Sequence, residues 1–307
     1  MHYLSIGEPL AEFTAHREAP SRFDRRAGGD TLNTAIYLAR LSGAGQVGYL
    51  SCLGDDPQSL WLRDAIAAEG IDTSALGVLR GGRPGLCFVS TDAQGERSFT
   101  YWRDQAPFRQ HFDDSSALAV LDGAKSLFLS AVTLAVLHPE GRENLLAALQ
   151  QRRDQGAEVV FDTNFRPVLW PDPVAARALM ARMAGIASLI LPSLDDLLAC
   201  YGTMPPEAAM AQLMAVSDAE IVLTTGGGTV LHRAARAAAV TEHALPPAVA
   251  ALDTTGAGDS FNAGWLVARA RGQSVAQSIA AAARLAATVV CHPGAVIPQE
   301  AMPDLFA

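Results

Sequence analysis

The residues best suited to chemistry lie late in the chain, in the string Asp253-Thr-Thr-Gly-Ala-Gly-Asp-Ser-Phe-Asn-Ala-Gly264. Gly256, Ala257 and Gly258 should sit just ahead of an apolar run through Phe261, Leu266 and Val267 that has helical spacing and that Gly272 should stop. Small side chains let such a loop tighten and bare its backbone N–H groups. Those groups and the positive end of the helix make an anion site. Asp259 falls at the helix start, beside that site. A carboxylate repels a phosphate, so it is out of place in a loop that only binds anions. It fits if Asp259 accepts the proton of a hydroxyl that attacks phosphorus. For the glycines alone, a plain turn with Asp259 as N-cap explains as much.

Three further polar groupings break otherwise apolar sequence. In Asp162-Thr-Asn-Phe-Arg-Pro-Val-Leu-Trp170, the residues Asp162, Asn164 and Arg166 leave the end of an apolar run. Arg166 either offers its planar fork to a carboxylate or phosphate, or pairs with Asp162 as a structural ion pair. Gly28-Gly29-Asp30 opens onto Leu32, Ala35, Ile36, Ala39 and Leu41 at helical spacing. Paired glycines there let a ligand approach the backbone; the plain alternative is a loop-to-helix join with Asp30 as cap. In Tyr101-Trp102-Arg103, alternation puts Tyr101 and Arg103 on one face of a strand, where Arg103 could equally be a solvated edge residue.

The elements that must position these residues alternate between strand and helix. Residues 4–7 and 47–53 read as strands, and 57–69 as a helix that Gly70 stops. Residues 11–26 are polar and show little periodicity. Residues 86–92 and 97–102 read as a hairpin joined by the turn at 93–96. From Lys125 onward, strand-like runs at 127–132, 159–163, 188–191, 220–225 and 229–232 are separated by helical runs such as 140–153 and 175–184. Such alternation predicts a mostly parallel α/β sheet covered on both faces, with ligands beyond the carboxyl ends of the strands. Glu8, Asp162 to Asn164, Ser193 and Gly226 all follow strand-like runs. The alanine-rich stretch 274–291 opens with the capping-box pair Ser274 and Gln277 and reads as a buried helix stopped by Pro293.

Composition narrows the classes. The 307 residues are 50% hydrophobic, enough for a substantial core and too apolar for disorder. A net charge of −9 without a basic block argues against nucleic acid or an anionic membrane as partner. Lys125 is the single lysine, so arginine must carry nearly all positive chemistry. Cys52, Cys87, Cys200 and Cys291 form no C-x-x-C pair and read as buried free thiols of a reducing cytosol. No signal peptide opens the chain and no apolar run reaches about 18 residues, so a soluble, cytoplasmic protein is expected. Lys125 lacks P-loop spacing, and Phe261 stands where a dinucleotide fingerprint needs its third glycine.

The string at 253–264 resembles the C-terminal signature of the ribokinase-like (PfkB) carbohydrate kinases, D-T-x-G-A-G-D-x-F-x-x-G, at every fixed position. Gly28, Gly29 and Asn33 match the family's N-terminal signature. The resemblance implies one ribokinase-like domain over 1–307. That domain is a three-layer sandwich with a mostly parallel central sheet and a small β lid, built from about 11–27 and 83–112. It implies that Asp259 is the catalytic base and that Gly256, Ala257 and Gly258 stabilise the transferring phosphoryl group. It implies that Gly28, Gly29, Asn33, Tyr101, Arg103, Asn164, Arg166 and Asp259 meet the sugar.

Narrower strings, among them Gly7-Glu-Pro-Leu10, Gly95-Glu-Arg-Ser-Phe-Thr-Tyr-Trp-Arg103 and Gly294-Ala-Val-Ile-Pro-Gln-Glu-Ala-Met-Pro303, resemble the branch of that family acting on 2-keto-3-deoxygluconate. A sugar acid needs cations where a neutral hexose does not, and Arg103 and Arg166 would supply them from opposite walls. Two departures stand out. Cys87 replaces a tyrosine that some members carry, and Ser193-Leu-Asp-Asp196 replaces the family's N-x-x-E near magnesium, so Asp196 would act on metal through water. Ser193, Thr225, Gly226 and Gly228, with Gly256 and Gly258, would contact ATP. The implied cofactors are ATP and Mg2+, with room for a monovalent cation. The implied assembly is a homo-oligomer, dimer or higher, through the lid. A kinase for fructose, ribose or a nucleoside, and a non-catalytic sugar-acid sensor, stay open as alternatives.

Overall fold

The computed structural model describes residues 1–16, 19, 21–91 and 97–306. The hairpin turn expected at 93–96 lies outside the described residues. Among them, a nine-stranded sheet is built from β1 (Tyr3–Ile6), β4 (Val47–Leu53), β5 (Leu76–Val78), β8 (Ser126–Ser130), β9 (Glu158–Asp162), β10 (Leu189–Leu191), β11 (Glu220–Thr224), β12 (Thr229–Arg233) and β13 (Thr241–Ala244). Its order is β13-β12-β11-β10-β9-β8-β1-β4-β5. Pairing is parallel from β11 to β5, and β12 and β13 turn antiparallel at the edge. Parallel strands need crossover helices, which bury both faces. The apolar runs are therefore nearly continuous, and β1, β4 and β8 are buried at every residue.

Alternate side chains of one strand feed two cores. Leu127, Leu129, Val159, Phe161, Ile190 and Leu223 pack with Leu145, Leu149, Met180 and Met183. Those partners come from α4 (Pro139–Asp154) and α5 (Pro173–Ile186). The short α3 (Ala131–Val136) and the helices α6 (Leu194–Tyr201) and α7 (Pro206–Met214) add Leu134, Leu197 and Leu213 to the same core. Phe128, Val160, Leu191 and Val222 face the other way, onto Ile36, Leu62, Trp265 and Leu285. Those lie on α1 (Asp30–Ser42), α2 (Pro57–Ala68), α8 (Ala257–Ala270) and α9 (Val275–Val289). Two helical layers around one sheet make the three-layer sandwich.

A second, four-stranded sheet has the order β3-β2-β6-β7, from β2 (Leu10–Ala15), β3 (Phe23–Gly28), β6 (Gly85–Thr91) and β7 (Arg97–Trp102). Two of its strands correct the irregular reading of 11–26. They left no periodicity because β3 is mostly solvent-exposed and is held by cross-strand bonds to β2 rather than by alternating burial. In the β6–β7 hairpin Cys87 faces Tyr101 and Val89 faces Phe99.

Two element ends and one cysteine also differ from expectation. The strand at 127–132 stops at Ser130, because the Ser130 hydroxyl accepts from Thr133 N–H and starts α3. The capping box at Ser274 forms, but α9 ends at Val289, short of Pro293. Only one of its faces is buried, through Ile279, Ala282, Leu285 and Val289. Of the cysteines, Cys52, Cys87 and Cys200 are buried but Cys291 is exposed. Among the described residues no helix is long and apolar enough to cross a membrane.

Candidate active site

The carboxyl ends of β1 and β9 and the amino ends of α1, α6 and α8 bring the sequence-predicted groups together. Gly256 is the N-cap of α8, at φ 78. A Cβ there would also stand 2.4 Å from Ala295 O, so both the left-handed backbone and the close approach demand glycine. Asp253 locks the turn, accepting from Thr255 N and Oγ1 and from Gly294 N. Ala257 and Gly258 lie inside the first turn of α8, not before it as the sequence suggested. Gly256 brings no capping side chain, and within the first turn Ala257 N donates to Thr254 O at 3.3 Å, so the orphan donors of this helix start are those of the residues that follow. A Cβ on Gly258 would meet nothing within 4 Å: the space in front of the helix is open.

Asp259 lies in that first turn. Asn33 Nδ2 donates to its Oδ2 at 2.8 Å. Burial above all, and then the charge of Asp30, push the Asp259 carboxyl up to about 7, against the pull of Asn33 and Arg166. It belongs to a group of four carboxylates from different elements. Asn164 Nδ2 donates to Asp30 at 2.6 Å. Asp162, at the end of β9, accepts from Asn262 Nδ2 at 3.0 Å and from Asn164 N at 3.1 Å. Burial and the neighbouring charges of Asp196, Asp259 and Asp30 raise it well above the usual carboxylate range. Asp196 is raised mainly by burial, with Arg166, Ser193 and Thr163 opposing.

The ion pair between Arg166 and Asp162, one of the two readings open from the sequence, is not formed. Neutral donors already serve Asp162, and Arg166 Nη1 instead donates to Asp196 Oδ1 at 3.1 Å. Half of the Arg166 side chain, 54%, remains exposed. Asp30 is not the cap of α1 either. Gly29 holds that position at φ 121, where a Cβ would lie 2.6 Å from Glu8 O. Gly28, beside it, closes β3.

Arg103 is buried, not solvated. Its Nε donates to Glu8 Oε2 at 3.0 Å and its Nη2 donates to the same oxygen. Tyr101 shares its side of the hairpin, the guanidinium lying 5.5 Å from the ring centroid. Glu8 is itself raised by burial, which outweighs Arg103. Its Oε1 and Asn33 Oδ1 are buried without a hydrogen-bond partner. Each is an acceptor for which a buried donor is wanting. The sequence reading gave no role to Glu8 or Asn262. A charged residue directly after the Gly7 strand end was the one available signal for Glu8. Asn262 occupies a variable position of its string.

Several residues assigned to the nucleotide have structural partners. The Ser193 hydroxyl caps α6, accepting from Asp196 N at 3.1 Å. The Thr225 hydroxyl donates to Thr229 O at 2.7 Å and closes the β11–β12 turn. Gly226 takes φ 80 in that turn, and Gly228 O accepts from Leu245 N. These loops follow β10 and β11 in the same sheet as the acidic group, so backbone rather than hydroxyl groups would meet a ligand there.

The parallel sheet between two helical layers and the acid at an uncapped helix start define a ribokinase-like α/β kinase. The fructokinase of Xylella fastidiosa with bound ATP superposes with TM-score 0.81 at 26% identity, covering 99% of this chain and 95% of that one. The aminoimidazole riboside kinase of Salmonella enterica superposes with TM-score 0.80 at 25% identity, over 96% and 95%. The chain belongs to the pfkB family of carbohydrate kinases, whose pattern matches residues 3–302. It is 35% identical over 304 residues to the 2-dehydro-3-deoxygluconokinase of Escherichia coli K12, covering 97% of both.

Proposed function

We propose that this chain transfers the terminal phosphoryl group of ATP to the 6-hydroxyl of 2-keto-3-deoxygluconate. The observation that carries the chemistry is Asp259: a carboxyl raised to about 7, oriented by Asn33, beside an uncapped helix N-terminus. A base works best with a pKa near the operating pH. As the O6–P bond forms and the bond to the ADP leaving group breaks, the hydroxyl proton passes to Asp259. The N–H groups of the cap residue Gly256 and of Ala257 and Gly258 in the first turn meet the charge on the phosphoryl oxygens, Ala257 giving up its 3.3 Å bond to Thr254 O. The open space at Gly258 suits a triphosphate. The chemistry magnesium would supply, if bound with the nucleotide, is neutralisation of phosphate charge. Asp196 would reach the ion through water, since its oxygens already accept from Thr163 and Arg166. Among the described residues no group of three or more acidic, His or Cys side chains forms a metal cage, which fits a cation carried on phosphates.

The name of the 35%-identical relative supports a sugar acid. So does the half-exposed Arg166, which keeps several N–H donors after Asp196 takes one. Arg103 presents only the edge that Glu8 leaves free, and orients more than it attracts. Gly28, Gly29, Asn33, Tyr101 and Asn164 complete the walls. In this reading the four-stranded sheet closes over the sugar and excludes water. One of its faces carries Phe13, Phe23, Phe88 and Trp102 in a run of ring contacts, with Trp102 63% exposed, and pairs two copies into a dimer.

The test is turnover of ATP against 2-keto-3-deoxygluconate, fructose and ribose. The acid should lead fructose by at least about a hundredfold in kcat/KM, and Arg166→Ala should raise KM for the acid more than KM for ATP. Equal use of fructose would replace this reading with a fructokinase.

A further inference from the structure

A cavity of about 600 Å3 opens between the α3–α4 junction, the start of α5 and the short helical turn Pro107–Gln110. It shares no residue with the candidate active site. Ala135, Leu137, Leu169 and Leu179 make apolar walls. Two residues of its lining, Arg109 and Trp170, carry a buried N–H, at Nε and Nε1, that has no hydrogen-bond partner. Neither group can turn acceptor, and a buried donor left unpaired is costly. The cavity therefore calls for an acceptor.

The other polar lining groups are committed. Arg142 donates to Leu134 O and Leu137 O. Arg182 pairs with Glu143, and His138 with Asp113. Asp172 accepts from Val174 N and Ala175 N. Among the described residues, the Arg109 guanidinium makes no hydrogen bond and no salt bridge. Glu8 feels its charge but is bonded to Arg103. One cation without a bonded counter-charge, a second orphan donor and apolar walls select an anion with an apolar body.

We propose that this cavity binds a small organic carboxylate, which accepts from Arg109 and Trp170, and that its occupancy changes the affinity of the neighbouring sugar site. The second half rests on the sugar-acid reading; the first does not. The link is covalent and short. Arg109 N donates to Ala106 O, and Ala106 N donates to Arg103 O, each at 3.1 Å. Trp170 N donates to Pro167 O, and Leu169 N to Arg166 O, each at 2.9 Å. The Trp170 ring also stacks on Phe165, centroids 5.9 Å apart. Each orphan donor thus lies at the end of two linked tight turns, the first of which begins at one of the two arginines of the sugar site.

The experiment is calorimetric titration of the full chain with benzoate, with its neutral isostere benzamide, and with inorganic phosphate. Saturable binding of benzoate is expected, with benzamide weaker by about tenfold or more. Arg109→Met and Trp170→Phe should each weaken benzoate by about tenfold while circular dichroism stays native. Benzoate should shift KM for the sugar acid in the parent chain and leave it unchanged in Arg109→Met. No saturable binding at millimolar benzoate would mean that water serves both donors, and would overturn the site. So would benzamide binding as tightly as benzoate, a comparison that needs no variant to fold. Tighter binding of phosphate would overturn the carboxylate assignment. Benzoate binding that leaves KM unmoved would overturn the link to the sugar site. Loss of turnover with all substrates, by contrast, would bear on the kinase reading and leave the benzoate titration standing.

Discussion

Asp259→Asn should make the protein nearly inactive and more stable at the same time. The native carboxyl titrates at about 7 against 3.8 for the free group. That gap of roughly three pH units, at about 1.4 kcal/mol each, sets a ceiling near 4 kcal/mol. The sign follows from proton binding. The native state holds its proton to higher pH than the unfolded chain, so between about pH 4 and 7 stability falls as pH rises, and the full penalty is present above pH 7. The substitution removes that penalty. Asn keeps an oxygen to accept from Asn33 Nδ2, and loss of the charge also relieves Asp162. Because the side chain is partly open to solvent, about half the ceiling is the working figure. Urea unfolding should show a gain under about 1 kcal/mol at pH 5, growing to about 2 kcal/mol at pH 8. Turnover should fall by about 10²–10⁴-fold. A variant less stable than the parent at pH 8, or equally shifted at both pH values, would refute the electrostatic account. Retained turnover would refute the base assignment.

With Asp259 as the proposed base, active only when ionised, kcat/KM should rise with pH through about 7 and level above it; a flat profile from pH 6 to 8 would contradict this. Gly256→Ala forces a left-handed alanine, at roughly 1–2 kcal/mol, against Ala295 O, and should lower the melting temperature. Gly258→Ala meets nothing, should hold or slightly raise the melting temperature, and should slow phosphoryl transfer by intruding on the space before α8; the reverse order of melting temperatures would sink that reading. Arg103→Ala strands a buried Glu8 and should cost about 3–5 kcal/mol, part of which Glu8→Gln restores in the double variant. Additive losses across that cycle would show the pair to be uncoupled.

What the sequence determined by itself was whatever depends on local period and backbone freedom. Alternating apolar runs and amphipathic helices were readable as a parallel sheet, because parallel strands bury both faces and leave few polar positions to confuse the period. The string at Asp253 was readable because Gly256 must be a glycine for a local reason, its positive φ. Strands β2 and β3 were not readable, since solvent-facing strands are held by partners distant in sequence. The same limit applied to every charged pairing. Arg166 could be seen as a cation, but not that Asp196 rather than Asp162 would hold it. Arg103 could be placed beside Tyr101, but its partner Glu8 lies 95 residues away. Asn33 and Asp259 are separated by 226 residues and meet only because α1 packs on α8. Only the tertiary structure decided the ionisation of Asp259. A carboxyl's pKa is set by how much water it loses and which charges surround it. Here those charges, from Asp30, Asp196 and Arg166, arrive on separate elements that the sheet order brings to one end.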